Sequence, residues 1–191
     1  IQSLILASLV LSLVLFLIMS KFGTKAIHAG TEPDSATGAI MTPIYQTSTY
    51  IQNAPGEHKG YEYSRTLNPT RHALEKNLAA LENGNYGLTF SSGLAAMDAL
   101  LKSFKPGDEI ITPALTFATT VYPILDVGCV PVLCDIDLET LNIDEKKIEK
   151  LITKKTKALM PVHLLGNPCK IDVIKKIAKK HNLFLIEDAA D

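Results

Sequence analysis

The strongest constraint on the fold is a regular alternation of apolar runs with amphipathic stretches over the second half of the chain. Four runs have the length and apolar content of buried strands: DEIITPA, VPVLCDID, KALMPVHLL and LFLIED. The stretches between them have helical character: TFATTVYPILDVG, where Pro123 disturbs the pattern, DEKKIEKLITKK and IDVIKKIAKKH. Successive strand-helix-strand units favour parallel pairing. The sequence therefore predicts an α/β fold with a largely parallel sheet and helices on its faces.

Three further elements are predicted upstream of these units. NPTRHALEKNLAALENG is predicted as a helix, with Pro69 in its first turn, Leu74, Leu78 and Leu81 in one apolar stripe and Gly84 at its end. YGLTF is predicted as a short strand, and GLAAMDALLKSF as a helix.

Ligands of open α/β sheets bind beyond the carboxyl ends of the strands. We therefore expect three stretches to lie near one site: SSGLAA, TPALTF and EDAAD. Asp188 follows an apolar strand and is placed at the mouth of this predicted pocket.

Charge and cysteine content exclude several classes of protein. The net charge of the 191 residues is -1, which argues against a nucleic-acid surface that binds through phosphate contacts. The lysines of residues 146–157 and 175–180 lie on helical patterns and are interpreted as solvated faces. The three cysteines form no CxxC pair and have no zinc-ligand spacing to the histidines, so no metal site is expected. A reduced, cytoplasmic protein is predicted.

The first stretch, IQSLILASLVLSLVLFLI, differs from the rest because its 18 residues carry no charge. As a helix it would span roughly 27 Å, just enough to cross a bilayer core. It is interpreted either as extraneous sequence or as a membrane anchor, and a membrane partner is expected only if it is native. The predicted organisation is this hydrophobic segment at 1–18, an extended N-terminal arm at 19–60 and a large domain at 61–191.

Several residues have side chains suited to a phosphorylated cofactor. Ser92 and Gly93 precede a predicted helix, whose free amides suit a phosphate, although such a turn is also a common helix cap. Tyr63 and Arg65 lie two residues apart in an extended segment and can point at one phosphate, or they can be a packed phenol and a surface cation.

Two strand-end residues have titratable side chains. Asp188 can hold a protonated ring nitrogen, as an acid does beside the pyridinium of pyridoxal phosphate, or it can cap a following helix. His163 is interpreted as a hydrogen-bonded, partly buried histidine in preference to an acid or base.

With these residues in place, the chain resembles fold-type I pyridoxal-phosphate enzymes, and the resemblance is divided. Residues 19–110 resemble the Cys/Met-metabolism (trans-sulfuration) family of the cystathionine gamma-synthases and gamma-lyases, through TKAIHAG, TPIYQTSTY, YEYSRTLNPTRHALEKNLAALE and FSSGLAAMDALLKSFKPGDE. Residues 111–191 resemble the DegT/DnrJ/EryC1 sugar aminotransferases, through ITPALTFATTVYPILDVGCVPVLCDIDLETLNID, TKALMPVHLLGNP and KKHNLFLIEDAAD. LLGNP is similar to the nucleotide-hexose 3-dehydrase branch. The chain is therefore interpreted as a chimera of two families that share one fold and one cofactor.

The resemblance implies pyridoxal 5′-phosphate as cofactor and part of an aspartate aminotransferase-like large domain, incomplete at the carboxyl terminus. It implies that Tyr63 and Arg65 reach the cofactor phosphate of a neighbouring subunit in a homo-oligomer. The remaining implied cofactor contacts are the phosphate-binding turn Ser92, Gly93 and Leu94, the ring-covering Phe117, Asn167 near the phenolic oxygen, and Asp188 at the pyridine nitrogen. Asp191 has no assigned role.

The resemblance also implies a Schiff-base lysine downstream of Asp188, so no catalytic residue is expected within this chain. Three functions remain open at this point. The first is trans-sulfuration, with gamma-elimination or gamma-replacement on an amino-acid substrate. The second is a sugar-nucleotide aminotransferase or 3-dehydrase. The third is an inactive chimeric product.

Overall fold

The computed structural model describes residues 22–190, which divide into two compact units between Thr89 and Phe90. The hydrophobic stretch 1–18 and Asp191 lie outside the described residues. Among residues 22–190, no helix is long and apolar enough to cross a membrane.

The first unit contains helix α1 (Phe22–His28), a short antiparallel pair β1 (Gln52–Ala54) and β2 (Glu57–His58), and helix α2 (Pro69–Leu81). The predicted α2 is confirmed. Asn68 caps it, with Oδ1 accepting from the Thr70 amide at 2.9 Å, and Pro69 occupies the first turn. The helix ends before Gly84, because Asn83 already takes a left-handed φ of 52°.

Helix α1 and the residues after it are held against α2 by the side chains of Asn77 and Lys25. The two protons of Asn77 Nδ2 are shared among the carbonyls of Lys25, Ala26 and Ala29, and Nζ of Lys25 donates to the Ala80 carbonyl. Gly30 allows this close approach, because an added Cβ would lie 2.7 Å from the Ala73 carbonyl oxygen. The region predicted as an extended arm thus contains one docked helix and the β1–β2 pair.

YGLTF does not form the predicted strand. Its backbone joins no ladder within the described residues and instead lies along α2. The Thr89 amide and hydroxyl both donate to Oε1 of Glu75, at 3.1 and 3.0 Å. At Gly87 an added Cβ would lie 2.1 Å from the Glu75 carbonyl oxygen, so this segment packs directly on the helix backbone.

The second unit is a four-stranded parallel sheet, which confirms the predicted fold class. Its strands are β3 (Glu109–Pro113), β4 (Val130–Cys134), β5 (Thr156–Leu159) and β6 (Phe184–Leu185), in the order β4-β3-β5-β6. Its helices are α3 (Gly93–Leu101), α4 (Ala118–Asp126), α5 (Glu145–Leu151) and α6 (Ile171–His181). Pro123 lies inside α4 without ending it.

The inner strands β3 and β5 are largely buried on both faces, which explains their apolar sequence, whereas the edge strands β4 and β6 keep exposed side chains such as Leu133 and Phe184. On one face, Ile110 and Ala158 pack with residues of α3 and α4, including Leu101 and Ile124. The opposite core is formed by side chains from the sheet, α5, α6 and adjoining loops: Ile111, Cys134, Ile143, Ile148, Leu159, Cys169, Ile174 and Ala178. Neighbouring residues of one strand therefore belong to different cores, and the register decides which side chain faces which helix pair.

Replacing a core leucine should test this packing. Leu159 has no exposed surface, so Leu159→Ala should lower the free energy of unfolding by about 2–5 kcal/mol through lost burial and the resulting cavity. Leu138→Ala is the matched control, because Leu138 is 84% exposed and its loss should cost less than about 0.5 kcal/mol. Urea denaturation followed by circular dichroism measures both. Equal losses in the two variants would contradict this core.

The buried thiols predict a loss of stability at alkaline pH. All three cysteines are free and buried, and burial raises the pKa of Cys134 to about 11. An unfolded thiol has a pKa of about 8.5, so this thiol stabilises the fold fully below that pH and loses its contribution as the pH rises toward 11. Unfolding free energies between those two pH values should therefore fall less steeply in Cys134→Ala than in the parent chain. If the unfolding free energy fell equally steeply with pH in both proteins, the buried Cys134 thiol would not be the cause of the alkaline loss of stability.

Candidate functional site

Asp188 is fixed at the carboxyl edge of the sheet by two backbone bonds to the segment that follows β5. Its amide donates to the Pro161 carbonyl at 3.0 Å, and its carbonyl accepts from the His163 amide at 2.9 Å. Val162 and Asp188 form a parallel bridge beyond the ends of β5 and β6. The acid therefore continues the strand pairing and does not belong to a free loop.

The carboxylate of Asp188 is oriented by two donors. Oδ2 accepts from Oγ1 of Thr120 at 2.9 Å, and Oδ1 accepts from the Ala190 amide at 3.2 Å. The bond to Ala190 makes a tight turn of the kind that aspartates form two residues ahead. The bond to Thr120 joins the strand edge to α4, which follows the predicted TPALTF stretch. Two of the three stretches expected at one site are thus brought together.

Phe117 lies at the start of the same helix. It is the N-cap residue of α4, makes no side-chain cap bond, and is 69% exposed. Its carbonyl accepts from the Thr120 amide at 3.1 Å. One helical turn therefore carries both an exposed aromatic ring and the hydroxyl that holds Asp188.

The Ser92-Gly93-Leu94 turn begins α3. Oγ of Ser92 accepts from the Ala95 amide at 3.1 Å, so Ser92 is a helix cap, which was the simpler of its two interpretations. The amides of Gly93 and Leu94 belong to the first turn and have no intrahelical acceptor. An added Cβ at Gly93 would meet no atom within 4 Å, so the turn faces open space. A cavity of about 340 Å³ extends from this turn between α3 and α4, lined by Ser92, Leu94 and Tyr122 among others.

Asn167 takes part in a loop network. Its Nδ2 donates to the Thr140 carbonyl at 3.1 Å, and its own carbonyl accepts from Nδ2 of Asn142 at 2.9 Å. The same Asn142 accepts from the Leu164 amide at 3.2 Å. The structure therefore shows Asn167 bracing a loop through bonds to Thr140 and Asn142.

His163 is hydrogen-bonded at both ring nitrogens, as interpreted from the sequence. Nδ1 accepts from the Cys169 amide at 3.0 Å, so in the neutral ring Nε2 carries the proton and donates to Oε2 of Glu187 at 3.2 Å. Glu187 thus pairs with His163, while the adjacent Asp188 pairs with Thr120.

Tyr63 and Arg65 belong to the first unit and lie together on one turn. The Arg65 guanidinium lies 5.1 Å from the centroid of the Tyr63 ring, a cation-π distance. The turn is braced by Arg71, whose guanidinium donates to the carbonyls of Ser64, Arg65 and Thr66 at 2.7 to 3.4 Å. The segment predicted as extended is a turn from Ser64 to Thr66 in the structure, and the cation lies against the phenol ring.

Thr120 and Thr116 also belong to the residues of the candidate site, although their sequence pattern does not predict it. Thr120 is 2% exposed, and its hydroxyl lies 2.8 Å from that of Thr116. The only available indication was their spacing of four across a predicted helix start, which places both on one face. No group of three or more acidic, histidine or cysteine side chains within residues 22–190 is arranged to hold a metal ion.

Comparison with known proteins shows that this chain is similar to two groups of enzymes. The model of the DegT/DnrJ/EryC1/StrS aminotransferase family matches residues 59–191. A cystathionine beta-lyase of Coxiella burnetii is 39% identical over 173 residues, which cover 88% of this chain and 44% of that protein. The two matches overlap, so neither is confined to one side of residue 111. The chain spans about half the length of the curated relatives it matches.

Solved structures from both groups of enzymes are also similar to this chain. The MetB protein of Corynebacterium glutamicum superposes with a TM-score of 0.78 and 35% identity, covering 90% of this chain and 46% of that one. The NtdA protein of Bacillus subtilis, solved with bound cofactor PMP, superposes with a TM-score of 0.60 and 39% identity, covering 64% of this chain and 28% of that one. The predicted resemblance to both groups is confirmed, and the chain belongs to the DegT/DnrJ/EryC1/StrS aminotransferase family, with the fold of the fold-type I pyridoxal-phosphate enzymes.

Proposed function

We propose that the complete protein is a pyridoxal-phosphate enzyme of sulfur amino-acid metabolism, which catalyses gamma-elimination or gamma-replacement on cystathionine or an O-acyl homoserine. The observation that carries the proposal is the extent of the matches to a probable cystathionine gamma-synthase of Herpetosiphon aurantiacus and to a cystathionine gamma-lyase of Bacillus subtilis. These matches cover 87% and 86% of the chain, whereas the NtdA match covers 64%.

The residues at the carboxyl edge of the sheet fit the cofactor. Asp188 presents a carboxylate with fixed orientation, which suits a protonated pyridine nitrogen. Phe117 presents an exposed ring at the start of the helix whose Thr120 binds Asp188, and such a ring suits the face of an aromatic heterocycle. The first turn of α3 presents free amides at Gly93 and Leu94 over open space, which suits a phosphate.

Each residue has a separate task in this proposal. Ser92, Gly93 and Leu94 bind the cofactor phosphate, and Phe117 covers the ring and excludes water from its face. Asp188 keeps the ring nitrogen protonated. Bound pyridoxal phosphate supplies the electron sink that stabilises negative charge at the substrate carbons.

The remaining predicted contacts are part of the same proposal. Asn167 lies near the phenolic oxygen, and Tyr63 and Arg65 reach the cofactor phosphate of a neighbouring subunit, which makes the protein a homo-oligomer. The shared turn of Tyr63 and Arg65 supports their acting as a pair. A cytoplasmic location is supported by three buried cysteines that form no disulfide.

A second candidate function is favoured by the family match over residues 59–191. On this alternative, the complete protein is a sugar-nucleotide aminotransferase or 3-dehydrase, and its substrate is a nucleotide-linked keto sugar. The same cofactor residues serve both candidates.

Substrate assays separate the two candidates. The complete protein, supplied with pyridoxal phosphate, should release 2-oxobutanoate and ammonia from cystathionine or from an O-acyl homoserine, or should form cystathionine from an O-acyl homoserine and cysteine. Amino transfer from glutamate to a nucleotide-linked keto sugar should be absent. The reverse result, with amino transfer and with neither 2-oxobutanoate nor cystathionine as a product, would replace the first candidate by the second.

Removing the carboxylate of Asp188 should disable the chemistry with either substrate. Asp188→Ala should lower kcat/KM by about two orders of magnitude or more, as expected when one partner of a desolvated charge pair is lost. Glu187→Gln is the matched control, because the adjacent acid pairs with His163 and should leave kcat/KM close to the parent value. Steady-state kinetics on the complete protein measure both, and full activity in Asp188→Ala would remove this residue from the site.

A further inference from the structure

We infer that Thr120 is a positioning residue, which orients the Asp188 carboxylate toward the ring nitrogen of the cofactor. The inference rests on the proposed function of Asp188. It adds a side chain from a different element of the fold, separated from the acid by 68 positions along the chain.

The direction of the hydrogen bonds follows from the chemistry of the groups. The Thr120 hydroxyl has one proton, and the carboxylate of Asp188 can only accept, so this proton is donated to Oδ2 over 2.9 Å. The second hydroxyl contact, 2.8 Å from Thr116, must then be donated by Thr116. A directed chain therefore runs from Thr116 through the buried Thr120 to the acid. Donation to a carboxylate is stronger than a bond between neutral groups.

Rotation of the carboxylate is opposed at both oxygens. Turning it away from Thr120 would break the Oδ2 bond and also disturb the Oδ1 bond to the Ala190 amide. Each carboxylate oxygen accepts more than one hydrogen bond, so a position for the ring N–H remains. Thr120 thus selects one orientation of the acid while leaving it able to bind.

The same threonines also define the turn that presents Phe117. Thr116 and Thr120 lie on either side of Phe117 and join their hydroxyls across the start of α4. The Thr120 amide closes the turn on the Phe117 carbonyl at 3.1 Å. One residue therefore connects the acid proposed for the ring edge with the aromatic side chain proposed for the ring face.

The test compares two ligands that differ only at the ring nitrogen. Pyridoxamine 5′-phosphate is suitable because it has no aldehyde and binds without a covalent bond to lysine. Its partner is the carbocyclic analogue in which a C–H group replaces the ring nitrogen. Equilibrium dialysis of the complete protein gives a dissociation constant for each ligand. The dissociation constant of the carbocyclic analogue divided by that of pyridoxamine 5′-phosphate measures the preference for the ring nitrogen.

Thr120→Val keeps the branched shape and removes the hydroxyl. It should reduce the preference by about tenfold, the effect expected for one hydrogen bond to a charged group. Thr120→Ser should retain most of the preference because the hydroxyl remains. Thr119→Val, an identical change at an exposed position of the same turn, should leave the ratio at the parent value.

A purely structural role for Thr120 would weaken both ligands equally and leave the ratio unchanged, which would overturn the inference. Asp188→Asn separates this failure from that of the proposed function. If Asp188→Asn abolishes the preference while Thr120→Val retains it, only the positioning role falls. If Asp188→Asn itself keeps the parent ratio, Asp188 does not contact the ring nitrogen and both proposals fall.

Discussion

The parallel pairing of β5 with β6 is the interaction on which the candidate site depends. Its register sets Leu159 opposite Leu185, and the hydrogen bonding continues beyond the strands to Asp188. A slip of one residue would turn Asp188 to the opposite face and present Glu187 in its place. Burial opposes this slip, because Leu185 and Ile186 pack into different cores. The position of the acid is therefore a consequence of apolar packing several residues away.

The alternation of the strand also gives two adjacent acids different environments. Glu187 pairs with the imidazole of His163, whose other nitrogen accepts from the Cys169 amide. Asp188 faces α4 and accepts from the hydroxyl of Thr120. One acid thus ties a loop to the sheet, whereas the other remains available at the edge. Two carboxylates next to each other in sequence acquire separate roles from geometry alone.

Much of this arrangement could be predicted from the sequence because it follows from local periodicity. Strands buried on both faces give continuous apolar runs, and a polar residue at the end of such a run, like Asp188, is placed at the ligand-binding edge. The role of Thr120 could not be predicted, because its partner is distant in sequence and threonine is common near helix starts. The composition of YGLTF predicts a strand. In the structure its Thr89 amide donates to Oε1 of Glu75 and not to a neighbouring strand. The roles of Tyr63 and Arg65 stay predictions.

The overlap of two enzyme groups on one chain has a physical explanation in these contacts. In the proposed site, a carboxylate at the strand edge, a ring at the start of α4 and free amides at the start of α3 serve to hold the cofactor, whatever the substrate. Those contacts are compatible with elimination at a sulfur amino acid and with amino transfer to a keto sugar, because both reactions use the same electron sink. The fold therefore constrains the cofactor more strongly than the substrate. Substrate preference must therefore depend on residues that meet the reacting carbons, and not on those that hold the cofactor.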